Sequence, residues 1–158
     1  MALGATLFAV LLSTPALAKK NKGPEVLERI AATRVADMLR GTSESVEVST
    51  DSYGDPQVIV NRGNGVRYAV YFYNCNDGAC TSLQFRTYWS MAGKVDANLV
   101  NAYNKDKRPG RAYLDKDGDP TFELNVWLDG GVTPDHVAKQ HERFLEGIDL
   151  LGKRLPSE

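Results

Sequence analysis

Residues 66–89 fit one antiparallel hairpin register that keeps apolar side chains together, and that register constrains the fold more than any other feature. Asp77-Gly78 lies at its centre, a step that favours a tight turn between strands. With Cys75 opposite Cys80, pairing sets Phe72 against Leu83, Val70 against Phe85, Tyr68 against Thr87 and Val66 against Trp89. The other face then sets Tyr73 against Ser82, Tyr71 against Gln84, Ala69 against Arg86 and Arg67 against Tyr88. One face is core and the other is wetter, and a slip of one residue would exchange them. The chain has 2 cysteines, and in an oxidising compartment Cys75 and Cys80 are expected to form a disulfide that closes the hairpin. The alternative is a redox pair. Against it, four residues separate the thiols instead of the two of Cys-x-x-Cys, and no helix N-terminus follows to lower a thiol pKa. Two thiols alone cannot fill a zinc site.

The oxidising compartment is itself an inference from residues 1–18, which carry no charge and include an apolar stretch at 7–12. Ala16 and Ala18 supply the A-x-A pattern that signal peptidase accepts, and Lys19-Lys20-Asn21-Lys22 follows. The expectation is a signal peptide cleaved after Ala18, a tether at 19–23, one domain at 24–152 and a tail at 153–158. The apolar stretch falls short of the about 20 residues a bilayer span needs, so no stable membrane insertion is expected after cleavage. The product would be periplasmic or secreted.

A chain of 158 residues suits one domain, and 42% hydrophobic with 25% charged residues is an ordinary globular composition. The net charge of −1 supplies no basic surplus for a phosphate backbone, so nucleic acid is not an expected partner.

Apolar spacing predicts a helix over 24–40, strands at 45–50 and 57–61, the cystine hairpin, a helix over 96–107, strands at 111–114 and 121–128, and a helix from Thr133 to about 151. The order α-β-β-β-β-α-β-β-α has hairpin links too short for parallel crossovers, so the fold class is α+β. About six strands should form an antiparallel curved sheet, with helices mainly on one face. That face would hold Val46, Val48, Val58, Val60, Tyr68, Val70, Phe72, Leu83, Phe85, Leu114, Phe122, Leu124, Val126 and Leu128. Such a core needs no metal or cofactor to fold.

Residues 46–56, 71–75, 80–85 and 110–115 together resemble the bacterial YbjN domain family. The resemblance covers about residues 26–151. It implies a fold like that of type III secretion chaperones and the family's label of sensory transduction regulator, and it carries over no catalytic residues.

Chemical motifs are sparse. Asp115, Asp117 and Asp119 alternate as in a calcium loop, but glycine is misplaced and Val126 stands where the bidentate Glu belongs, so a polar hairpin tip is expected. His136 and His141 are offset around a helix and cannot share a metal. His141 falls on an apolar seam, where a half-buried histidine bonded to a polar neighbour is the plain reading. No Gly-x-Ser-x-Gly elbow occurs. The outward sheet face is more informative. It would display Tyr71, Tyr73, Tyr88, Tyr113 and Trp127 among Arg67, Arg86, Arg111, Glu47, Glu123, Gln84 and Asn125, a composition enriched at interfaces. Tyr71, Tyr73, Arg86, Tyr88, Tyr113 and Trp127 are therefore the expected partner-binding residues. The function expected is a non-enzymatic binding or chaperone-like module of the envelope, holding a protein or peptide on this face or at the sheet edge. A homodimer through the face is a further reading. The competing class is an envelope enzyme using Asp51, Asp55 or Asp119, or a small-ligand sensor.

Overall fold

A computed structural model describes residues 23–156 apart from 64 and 92, so the expected signal peptide and all of the tether but Gly23 lie outside the described residues. Six strands form one antiparallel sheet: β1 Ser45–Thr50, β2 Pro56–Asn61, β3 Arg67–Asn76, β4 Ala79–Tyr88, β5 Arg111–Leu114 and β6 Pro120–Trp127. Helix α1 Ala32–Arg40 precedes β1, α2 Ala97–Asp106 lies between β4 and β5, and α3 Pro134–Gly152 follows β6. The fold is α+β in the expected order, and in space the strands run β1-β2-β3-β4-β6-β5. Thr133 caps α3, its hydroxyl accepting from His136 N at 3.2 Å, with Pro134 in the first turn, where its missing N–H goes unused.

The central hairpin carries the register read from sequence over most of its length. Cys75 pairs with Cys80 and is bonded to it, Phe72 with Leu83, Val70 with Phe85, Tyr71 with Gln84 and Ala69 with Arg86. Asp77 and Gly78 take positive φ of 52° and 77°, the conformation a two-residue hairpin turn requires. The ladder stops at Ala69↔Arg86, so the expected continuation to Tyr68–Thr87 and Val66–Trp89 is not formed. There the Thr87 hydroxyl donates instead to the Arg67 carbonyl at 2.8 Å.

All three helices cover one sheet face. Phe85, Phe122 and Phe144 stack in series, with ring centroids 5.4 and 5.7 Å apart, and Tyr103 of α2 meets Phe122 edge-on. Val58, Val60, Tyr68, Val70, Phe72, Leu83, Phe122, Leu124, Val126 and Leu128 are buried, as expected. Val48 is not: it sits on an edge strand at 38% exposure, while Val46 and Leu114 are only half-buried. Edge strands have a neighbour on one side alone, so the covering helices close over them incompletely.

The first helix begins later than the spacing suggested. Residues 24–31 are not helical: they bend at Glu28 and Arg29 between two isolated bridges, and the backbones of Leu27 and Val132 exchange two hydrogen bonds of 2.7 and 3.0 Å. Ile30 and Cys80 exchange two of 2.9 Å, and the Arg29 guanidinium donates to the Asn76 and Ala79 carbonyls. The segment is thus an arm strapped beside the cystine hairpin. Its amide groups find partners across the chain, which outweighs a local helical pattern.

Both edge hairpins are closed by the same turn, Asp-x-x-Gly-Asp-Pro, at 51–56 and 115–120. In each, the first Asp accepts two amides on one carboxylate oxygen: Tyr53 N and Asp55 N on Asp51, Asp117 N and Asp119 N on Asp115. In each, the backbone closes the same two bonds, Asp51 N to Asp55 O and Gly54 N to Asp51 O matching Asp115 N to Asp119 O and Gly118 N to Asp115 O. The two edge hairpins also share one internal register, so β1-β2 and β5-β6 correspond residue by residue when counted from their turns. Gln57 and Thr121 occupy the same place after their turns and pair with Tyr71 and Tyr88, so these tyrosines are counterparts. By the same count Ala69 and Arg86 are counterparts, and they pair with each other at the end of the β3–β4 ladder.

Candidate functional site

The face opposite the helices is lined by the alternate residues of β2, β3, β4 and β6. Two hollows share its middle. One, about 410 Å³, lies between the Asp51–Asp55 turn, Gln57, Tyr71, Tyr73 and Arg86. The other, about 750 Å³, extends from Tyr71 and Arg86 past Ala69, Arg67 and Tyr88 to the Asp115–Asp119 turn, and reaches round the end of the β3–β4 ladder to Trp89 and Ile148 on the helix side. Together they make a groove across the strands with an acidic turn at each end and Arg86 at the centre.

Arg86 is half-buried. Its cross-strand neighbours are Ala69, which offers no polar group, and Glu123. Glu123 is 2% exposed, which corrects its expected display on the outward surface. Its Oε1 accepts from Arg111 Nε at 2.6 Å and lies 2.5 Å from Arg111 Nη2, while Oε2 accepts from the Tyr113 hydroxyl at 3.0 Å. The Arg111 guanidinium in turn sits 5.6 Å from the Tyr113 ring centroid. With that carboxylate turned to β5, Arg86 has no hydrogen-bond or ion-pair partner among the described residues. Burial raises the pKa of Tyr73 and of Tyr113, and the Arg86 charge opposes the rise at both, which places the cation within electrostatic reach of the two phenols.

An amide ladder runs beside the arginine. The Tyr73 hydroxyl donates to Gln84 Oε1 at 3.4 Å, and Gln84 Nε2 donates to Asn125 Oδ1 at 2.9 Å. Of the expected partner-binding residues, Tyr71, Tyr73, Arg86 and Tyr88 line the groove. Tyr113 is engaged with Glu123, and Trp127, 61% exposed opposite Ser82, stands outside both hollows. The repeated turn is the part of the site that the sequence reading missed, and the twice-written Asp-x-x-Gly-Asp-Pro was the signal for it.

Of the loop carboxylates weighed for an enzyme, Asp51 and Asp119 brace backbone. Asp51 holds its own turn, and Asp119 accepts from Met91 N at 2.7 Å. Among the described residues no group of three or more His, Cys, Asp or Glu could hold a metal ion. His136 is exposed beside Gln140, whereas His141 is buried and shares a 2.6 Å hydrogen bond with the Tyr68 hydroxyl. Burial lowers the pKa of His141 to about 4 and raises that of Tyr68 to about 12, so both are neutral at pH 7. No helix among the described residues is long and apolar enough to cross a membrane.

A family model, YbjN, described as "Putative bacterial sensory transduction regulator", matches residues 25–155. No curated protein and no solved structure matches the chain.

Proposed function

The chain belongs to the YbjN family, and from that membership and the groove we propose that it is an exported, non-enzymatic regulatory module of the bacterial envelope that holds a protein or peptide partner on the outward sheet face. The observation that carries this reading is Arg86, a half-buried cation with no partner among the described residues, set between Tyr71, Tyr73 and Tyr88 in an open groove. Tyr and Arg dominate binding hot spots because they bury much area at small entropy cost and keep a polar handle. Export is supported by the uncharged leader with its A-x-A step and by a cystine, which persists in oxidising compartments.

A photoreactive residue placed at Tyr88, and in a control at Glu142 on α3, tests this in the protein's own envelope. The expected result is one protein crosslinked from position 88 and absent from position 142, on a chain that begins at Lys19 with Cys75 and Cys80 linked. A dimer of the chain crosslinked from position 88 would make the face a self-interface. Recovery of a small molecule with no protein would overturn partner binding in favour of a ligand sensor.

A further inference from the structure

The groove's charges are arranged along its length. The two acidic turns, alike in sequence and hydrogen bonding, sit at opposite ends, and Arg86 lies between them against Ala69. Counted from the two turns, the counterpart of the cation is therefore a methyl group. Arg86 is the arginine where the two hollows meet, Arg67 lines only the second hollow on the side of the Asp115–Asp119 turn, and the small Ala69 leaves room beside Arg86.

A guanidinium presents five N–H donors in a planar fork that matches a carboxylate in bidentate fashion. Half-burial weakens the hydration of that fork, and the chain offers no acceptor in return, since Glu123 already takes Arg111 and Tyr113. Arg86 contributes no ion pair to holding the sheet together, yet it lines both hollows where they meet. An incoming acceptor would complete it.

The flanks decide which acceptor. Asp51 and Asp55 at one end, and Asp115, Asp117 and Asp119 at the other, where they outnumber Arg67, repel negative charge placed away from the centre and favour positive charge there. A ligand with one central anion and cationic ends fits this pattern, and one carrying several negative charges does not. The tyrosine walls and the Gln84–Asn125 ladder run across several strands, which suits an extended chain more than a compact ion.

We infer that Arg86 anchors a single Asp or Glu carboxylate of the partner, carried in an extended peptide segment with basic residues on both sides. This rests on the partner-binding reading above.

The test is selection of displayed random-sequence peptides against the full-length chain, run in parallel on Arg86→Gln, Arg86→Lys and Tyr88→Ala, each checked for a parental circular dichroism spectrum. The parent is expected to enrich one acidic position flanked by Lys or Arg. A selected peptide synthesised with Gln for its acid, or offered to Arg86→Gln, should bind about ten- to hundredfold more weakly, with Arg86→Lys intermediate. Capping the peptide's C-terminus as an amide should leave binding unchanged, and a loss on capping would assign the anchor to a terminal carboxylate and overturn the side-chain form. Peptides that need Tyr88 but show no acidic preference, or that bind Arg86→Gln as they bind the parent, would overturn the Arg86 anchor and leave partner binding standing. No enrichment on any variant would overturn both.

Discussion

Arg86 and Glu123 stand directly opposite each other in the β4–β6 ladder, yet the Glu123 carboxylate is bound to Arg111 on the far side. One acid between two arginines chooses the edge strand, where Tyr113 adds a third donor. The arginine left over faces the groove.

This assignment predicts opposite costs for two similar substitutions. Arg111→Met leaves a buried carboxylate with Tyr113 alone and should destabilise the fold by about 1–3 kcal/mol. Arg86→Met keeps the apolar stem, breaks no hydrogen bond, and should cost under about 0.5 kcal/mol. Urea unfolding of the two variants reads the difference, and equal losses would mean that Arg86 is structural.

The cystine closes a short loop, so its effect on the unfolded chain is modest. The Cys75→Ser/Cys80→Ser variant should lose about 2 kcal/mol by loop entropy. The loss should be local as well as global, because Cys80 N and O both bond to Ile30 of the arm. Hydrogen exchange at the Ile30 and Cys80 amides should accelerate more than at Leu83 or Phe85 in the middle of β4. Uniform acceleration would show that the arm does not depend on the hairpin tip.

Much of this fold could be read from the sequence because local chemistry and long-range pairing agreed. Asp77-Gly78 fixes the turn, alternation fixes the faces, and together they set Val70 against Phe85 without knowledge of any other strand. The arm at 24–31 shows the opposite case. Leu27, Ile30 and Ala31 repeat at helical spacing, but the decision lies with Val132 and Cys80, whose nearness no local pattern records. The site divides in the same way. Tyr71, Tyr73, Arg86 and Tyr88 follow from strand parity, whereas the competition of Arg86 and Arg111 for Glu123 depends on β5 lying beside β6, a neighbour relation that alternation alone does not specify.

His141 links stability to pH. Its folded pKa is depressed to about 4 by burial, below the unfolded value of about 6.5, so between these values the unfolded chain binds more protons. Stability is therefore whole above about pH 6.5, falls as pH drops towards about 4, and loses nothing further from this group below that. The difference corresponds to roughly 3 kcal/mol. His141→Phe forfeits the Tyr68 hydrogen bond at pH 7 but should flatten this slope in urea midpoints taken from about pH 7.5 to 4. A slope unchanged in the variant would assign the pH dependence to other groups.

Gly147 sits inside α3, where helix propensity alone makes alanine better by about 1 kcal/mol. Its position reverses the sign. A Cβ there would collide with the Phe122 ring, which is fully buried and held by Phe144 stacking at 5.7 Å and by Tyr103 edge-on at the same separation. The ring has nowhere to move, so α3 would have to lift from β6, and Gly147→Ala should cost about 1–3 kcal/mol net. Gly152, at the end of the same helix, is the control. A Cβ there would meet nothing nearer than Trp89 Cζ2 at 3.9 Å, so Gly152→Ala should leave Tm unchanged or slightly raised. Thermal unfolding of both variants separates packing from propensity, and a stabilised Gly147→Ala would place α3 farther from the sheet than this structure does.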